Sequence, residues 1–311
     1  MAKAAVSRAQ NGARRARFPH LAPLHGSLQK RIVMGSTCLG LGCGGASPLL
    51  HPAQTLPVDS VSVGAGVSGN FASSSVDRAI SQGRAATGGP LSDPATARTY
   101  AEGLLVNALV APGASPWVSA RVGLPESSEA GLTYTGRALR VDGRHAFDLA
   151  PDLLLSVGVG ASGLLLAPDR GPPRPEEAGS AASSPAEFEL QGKGFGADVP
   201  VLLGYQVVEG FFEVWLGPRL GVEFLSGDLR LRPPDPDSPV LHASGHRVWA
   251  GAVAGFSLGI PPLWLRFELA PTYHDVSGAL SSSGAAPGVN FDRIEATGWT
   301  LSPSGAIVGK F

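Results

Sequence analysis

The chain has 311 residues, of which 43% are apolar and only 16% charged, while glycine (42) and proline (27) together make up about a fifth. It is too apolar for disorder and too often interrupted for a helical bundle, but one closed barrel of ~200–250 residues with a leader and loops accommodates it. No run reaches the ~18 consecutive apolar residues of a membrane-spanning helix. Two cysteines, Cys38 and Cys43, support neither a disulfide framework, nor a zinc site, nor a Cys-His catalytic pair.

The net charge of −1 is a cancellation. Residues 1–31 carry seven basic side chains (Lys3, Arg8, Arg14, Arg15, Arg17, Lys30 and Arg31) and no acidic one, which leaves the remainder at about −8. Next come Ile32, Val33, Met34, Leu39, Gly40, Leu41 and Gly42, then Cys43 and Gly44-Gly45-Ala46-Ser47. A positive region, a short apolar region and a small residue before the cut are the parts of a secretory signal. With a small residue directly before Cys43, this segment resembles a bacterial lipoprotein signal, although Gly40 stands where that family prefers leucine. The resemblance implies that Cys43 is lipidated and becomes the mature N-terminus; an ordinary cleaved export signal is the alternative. Arg14-Arg15 is not followed promptly by an apolar run, so a twin-arginine signal is discounted. One lipid chain anchors only marginally, so a second hold on the membrane is required. Residues 1–42 are thus expected to be a disordered or signal-type leader, 43–57 a linker and 58–311 a β-barrel domain.

From residue 58 onward the apolar pattern has period two, the mark of strands with unlike faces. Val61, Val63, Ala65 and Val67 alternate with serine and glycine in a strand over 58–71. Residues 72–114 form a long connection, in which Ser92-Asp93-Pro94 starts a helix over Ala95–Leu109 with Tyr100, Leu104, Leu105, Ala108 and Leu109 on one side. That helix is expected either to cap the barrel or to lie on the membrane surface; a strand at 104–110 is its rival. Strands follow at 115–123, 128–135 and 138–148. The phase switches between Ala130, Leu132, Tyr134 and Leu139, Val141, Phe147, so Gly136-Arg137 is a turn or bulge. Further strands cover 153–166, 187–207, 211–230, 243–259, 263–276 and 294–311. In the clearest, Phe212, Val214, Leu216, Pro218, Leu220, Val222 and Phe224 alternate with Glu213, Trp215, Gly217, Arg219, Gly221 and Glu223.

Short connections alternate with mostly long ones, rich in Pro, Gly, Ser and Asp. An even count with one short-turned end and one long-looped end predicts an all-β, antiparallel up-and-down transmembrane β-barrel of about 8–10 strands. Spans longer than the ~5–6 residues of sandwich strands separate it from a secreted soluble β-domain. Aromatics supply a second test: Phe71, Phe195, Phe224, Tyr273 and Trp299 fall near the outer end of the apolar face, and Phe147, Tyr205, Phe212 and Phe311 near the inner end. The architecture resembles that of bacterial outer-membrane proteins, and Ile307 and Phe311 are similar to the closing signal that the barrel-assembly machinery reads, with Gly309 departing from it. The resemblance implies outer-membrane lipid as surroundings, periplasmic termini and an unknown surface ligand for the loops.

The inward face is expected to carry Arg121, Glu129, Arg140, Asp142, Arg144, Asp148, Asp198, Glu213, Arg219, Glu223, Arg247, Arg266, Glu268 and His274, with Trp215, Trp249 and Trp264 filling volume. In a barrel this narrow, that composition predicts a salt-bridged polar network filling the lumen and a structural or surface-interaction role. A narrow porin-like channel is one alternative. A lipid-modifying barrel enzyme is another, with His274 and Ser277 as its nearest pair, although three residues apart places them on opposite faces of a strand. No Gly-x-Ser-x-Gly elbow occurs, and His242 with His246 falls short of a metal set. Gly158-Val159-Gly160 and Gly64-Ala65-Gly66 lie within strands and are not phosphate loops. No catalytic residues, metal or cofactor are expected, and no nucleic-acid partner, because the chain past the leader is acidic and Lys193 and Lys310 are its only lysines.

Overall fold

The computed structural model describes residues 47–86, 93–165, 187–208, 210–232, 240–283 and 291–311. Its elements are β1 (Val61–Ala72), α1 (Ser74–Ala86), α2 (Pro94–Val110), β2 (Gly113–Leu124), β3 (Ser128–Tyr134), β4 (Ala138–Ala150), β5 (Leu153–Leu164), β6 (Glu187–Val208), β7 (Phe212–Arg232), β8 (Val240–Ile260), β9 (Leu263–Ser283) and β10 (Phe291–Lys310). Each strand pairs antiparallel with its neighbour in sequence, and β1 pairs with β10, so the sheet closes into a ten-strand barrel without a free edge. At the short-turned rim, termed the inner rim in keeping with the expected orientation, Val61 and Phe311 exchange backbone hydrogen bonds of 2.9 and 2.8 Å.

Nine of the ten strands fall within three residues of the expected ones at each end, and β9 runs seven residues past its expected end at 276. Period two explains why: one face of each strand meets an apolar exterior and the other a crowded polar interior. Phe71, Phe195, Leu216, Val248, Leu265, Trp299 and Ile307 are exposed on the outside, whereas Arg121, Trp215, Arg247 and Glu268 are buried inside. Phe212 and Phe224 are twelve residues apart on β7, which at ~3.3 Å per residue and a tilt of about 40° is about 30 Å along the axis. Around these levels Phe195 stacks on Phe224 at 4.9 Å, Tyr273 meets Trp299 edge-on at 5.4 Å, and Phe256 stacks on Phe267 at 5.1 Å. Glycine makes room within: a Cβ on Gly131 would stand 2.5 Å from the Arg121 guanidinium, and Cβ atoms on Gly221 and Gly255 would collide with Trp249 and Trp215.

The barrel is lopsided. Strands β6 to β10 run 20–22 residues, about twice the ~9–11 that a tilted span needs, while β1 to β5 run 7–13. The surplus stands beyond the outer end as a curved wall, and two helices pack against its inner side. Val76 and Ile80 of α1 and Leu105, Val106, Leu109 and Val110 of α2 form one buried cluster with Leu225, Ala243, Val276, Leu280 and Ile294. The expected helix Ala95–Leu109 is therefore present as α2, and it covers the outer mouth; the rival strand at 104–110 is not formed. Asp93 caps α2 by accepting hydrogen bonds from the Thr96 amide (3.0 Å) and hydroxyl (2.7 Å), Pro94 takes the first turn, and Ala111 ends the helix in a left-handed conformation. Those Thr96 bonds hold the Asp93 carboxyl below its usual range. The helices cross so closely at Gly83 and Gly103 that a Cβ on Gly103 would stand 2.6 Å from the Gly83 Cα.

Candidate functional site: a lumen bridged by charge and an internal strap

Strand alternation turns Arg121, Arg140, Asp142, Arg144, Asp198, Glu213, Arg219, Glu223, Arg247, Arg266, Glu268 and His274 inward, where all are buried except the half-buried Glu223. Asp148 differs from these in burial: it stands at the inner rim, just before the register shift between Asp148 and Ala150, and is exposed. Asp148 still pairs with Leu154, which packs on the interior cluster, so it keeps the inward face and is exposed only because it stands at the rim, beyond the buried network.

Seven of these groups, with Glu129 among them, form an alternating ladder. Arg144 contacts Glu129 at 2.9 Å, and the Arg121 guanidinium donates to Glu129 and, at 2.6 Å, to Asp142. Arg140 bridges Asp142 (2.5 Å) and Asp198 (2.8 and 3.0 Å), and Arg219 completes the row on Asp198 at 2.9 Å. Higher up, Glu223 sits between Arg247 (2.6 Å) and Arg137 (3.3 Å), while Arg137 also donates to the Leu109 and Ala108 carbonyls at the end of α2, at 3.1 and 2.9 Å. Asn70 donates to the Val110 carbonyl at 2.8 Å. The His274 Nε2 lies 2.8 Å from the Thr300 hydroxyl. At the inner end, Lys310 lies 3.9 Å from Glu213 and over the Trp264 ring at 4.4 Å.

The remaining partners belong to a segment that sequence reasoning took for a linker. Residues 47–57 run through the lumen as a strap outside any helix or strand, buried from Pro48 to Ala53, with Leu50 in a left-handed conformation (φ 49°) and a bend at Ala53-Gln54. Glu268 accepts the Leu49 and Leu50 amides at 2.9 and 2.7 Å, and Glu129 accepts the Leu56 amide at 2.8 Å. Arg266 donates to the Leu50 carbonyl at 3.0 Å, Arg144 to the Pro52 and Gln54 carbonyls, and Arg219 to the Ser47 carbonyl at 2.5 Å. Leu49 and Ala53 pack with Leu202, Trp215 and Val253, and Leu50 packs with Trp117, Ala306 and Val308. A segment outside any helix or sheet leaves its backbone groups unpaired, and burial demands partners for them; the barrel wall supplies carboxylates for amides and guanidiniums for carbonyls. The available signal was a surplus of inward charge facing an apolar, proline-bearing segment, Pro48-Leu49-Leu50-His51-Pro52. His51 is buried among arginines; burial first, then the Arg144 charge, hold its imidazole well below the usual range.

Two cavities flank the strap. Above Ser47, a chamber of about 60 Å³ is lined by Arg137, Arg219, Glu223, Arg247, Trp249 and His274. Below His51, a vestibule of about 280 Å³ opens among Gln54, Glu129, Glu213 and Lys310. On the outer surface, Ser277 points away from His274 and lies across from His246, with Ser244 two residues before it, in a groove of about 540 Å³ that includes Phe195 and Phe224. Among the described residues no carboxylate is hydrogen-bonded to His246. Ile307 and Phe311 are both exposed on the exterior. Cys43 lies outside the described residues.

No family model and no curated protein matches the chain. Among solved structures, it is similar to a major outer membrane protein from Thermus thermophilus, at 15% identity and a TM-score of 0.35, over 82% of this chain and 100% of that one. It is also similar to Neisserial surface protein A, at 15% identity and a TM-score of 0.29, over 81% and 97% of the two chains. The toluene transporter TodX of Pseudomonas putida is a third, at 11% identity and a TM-score of 0.26, over 82% and 89%.

Proposed function

We propose that the protein is a bacterial outer-membrane β-barrel whose lumen is held shut, and that it serves a structural or surface-interaction role through its tall outer wall and loops rather than as a conduit. The membrane placement is supported by the closed sheet, the apolar exterior and the aromatic side chains at two levels about 30 Å apart. The observation that carries the closure is the Glu268 carboxylate, which takes two consecutive strap amides at 2.9 and 2.7 Å in the middle of the lumen. The charge ladder and the docked helices occupy what space remains. Ile307 and Phe311 supply an assembly signal on the exterior, outer-membrane lipid surrounds the span between the two aromatic levels, and a surface ligand of undetermined chemistry would meet the loops of β6 to β10.

Reconstitution into liposomes tests this reading. The folded protein, recognised by a gel mobility that shifts on boiling, is expected to leave the liposomes impermeable to small sugars. Carbonate extraction without a mobility shift would sink the membrane placement, and rapid sugar-driven swelling would sink the closure.

A further inference from the structure

We infer that the vestibule at the inner end of the lumen is a binding site for a protonated phosphate group, held between the strap and the barrel wall. The inference goes beyond the closed-barrel reading and rests on four polar groups that line one cavity of about 280 Å³. Two of them are cationic donors. Arg266 gives one guanidinium nitrogen to the Leu50 carbonyl at 3.0 Å, but its Nε has no partner among the described residues. Lys310 stands 3.9 Å from Glu213, beyond hydrogen-bond reach, with its ammonium over the Trp264 ring. The other two are acceptors. Glu213 Oε2 is buried and has no partner among the described residues. The His51 Nδ1 lies 3.4 Å from the Pro52 carbonyl, which can only accept, so Nδ1 carries the ring proton and the buried Nε2, also without a partner among the described residues, is left as an acceptor.

Buried donors and acceptors left alone are costly, and their pattern states which ligand relieves them. Arg266 and Lys310 call for negatively charged oxygens, whereas Glu213 and His51 call for O–H donors. The charge balance agrees. Among the described residues between the inner rim and mid-height, six buried or half-buried cations (Arg266, Lys310 and the four arginines of the ladder) face five carboxylates (Glu213, Glu268 and the three of the ladder), so one negative charge balances the set. A dihydrogenphosphate ion brings that charge together with two bare oxygens and two O–H groups. Chloride has no donor and sulfate near neutral pH has no proton, so either would turn lone pairs toward the Glu213 carboxylate and leave it unpaired. The cavity reaches the inner rim past the exposed Gln54, Pro57 and Gly210, and it has room beside a phosphate for waters or for the remainder of an ester. His51 belongs to the strap and Glu213, Arg266 and Lys310 to β7, β9 and β10, so a bound phosphate ties the strap to the wall and favours the docked state by linkage.

Equilibrium dialysis of the folded, heat-shifting protein in detergent against radiolabelled orthophosphate, at neutral pH and constant ionic strength in chloride, tests this. Saturable binding of one phosphate per chain is expected, and equimolar sulfate is expected not to displace it. Lys310→Gln should weaken binding about tenfold while the gel mobility stays heat-dependent, and Lys310→Arg should restore it. Glu213→Gln, whose carboxamide supplies N–H donors, should let sulfate compete. Orthophosphate at about ten times its Kd should slow hydrogen exchange at Leu49 and Leu50 about tenfold. A parallel titration with glycerol phosphate separates the two sources of the group: tighter binding than orthophosphate assigns the ester, and weaker binding assigns the free ion. No saturable binding of either up to about 10 mM, equal displacement by sulfate, or wild-type affinity in a folded Lys310→Gln protein would each overturn the inference. A barrel that conducts and still binds phosphate would instead count against the closure alone.

Discussion

Glu268 and Leu50 are 218 positions apart in the chain and are joined by a 2.7 Å hydrogen bond from the Leu50 amide to the carboxylate, with the Leu49 amide on the other oxygen. Charge-assisted bonds of this kind contribute about 1.5–3 kcal/mol each, and a buried amide left alone costs a similar amount. Glu268→Ala is therefore expected to loosen the strap by about 3 kcal/mol or more, a roughly hundredfold rise in its exposed population. Hydrogen exchange at Leu49 and Leu50 is the readout. Glu268→Gln keeps one acceptor and should lose less.

Asp198 is shared by Arg140 and Arg219. Removing one member of a buried ionic set strands its partners and typically costs about 3–5 kcal/mol. Asp198→Ala is expected to lower the urea midpoint of the boiling-dependent gel shift. By contrast, Glu295→Ala breaks only the exposed pair with Arg293 and should leave the midpoint unchanged.

The close crossing of α1 and α2 at Gly83 and Gly103 gives a separable test. Gly103→Val is expected to undock the helices, so that protease clips within 74–110 while the barrel keeps its heat-dependent mobility.

Buried His51 makes strap docking depend on pH. Its imidazole is held below the usual value of 6.5, by burial first and by Arg144 next, so the undocked strap binds more protons than the docked one. Docking is therefore at full strength above about pH 6.5 and weakens as pH falls below it, by up to about 1.4 kcal/mol per unit. Protease sensitivity of residues 47–57 should rise between pH 6.5 and 5, and His51→Gln should flatten that rise.

The barrel was legible because each strand divides two unlike surroundings, which writes alternation directly into residues such as Phe212 to Phe224. Registers from that alternation also placed most of the lumen side chains, since a strand offers only two faces. Three things escaped. Asp148 has the expected parity but lies exposed at the rim, because alternation gives a side chain's face and not its depth in the barrel. Helix α1 was unseen because its buried stripe is thin: Val76, Ala79, Ile80 and Gly83 carry little apolar volume, and its packing comes from α2 and β10. The strap has no periodicity at all, and its structure is imposed by Glu268, Arg266, Arg144 and Glu129, which no local reading of residues 47–57 contains.

Single-channel recording in a planar bilayer tests the central claim most directly. The wild-type protein is expected to give no steady current. A chain lacking residues 47–57, with 74–110 replaced by a short Gly-Ser loop, is expected to pass small ions steadily once its folding is confirmed by the gel shift. A steady current through the wild-type barrel, equal to that of the doubly deleted chain, would contradict the account.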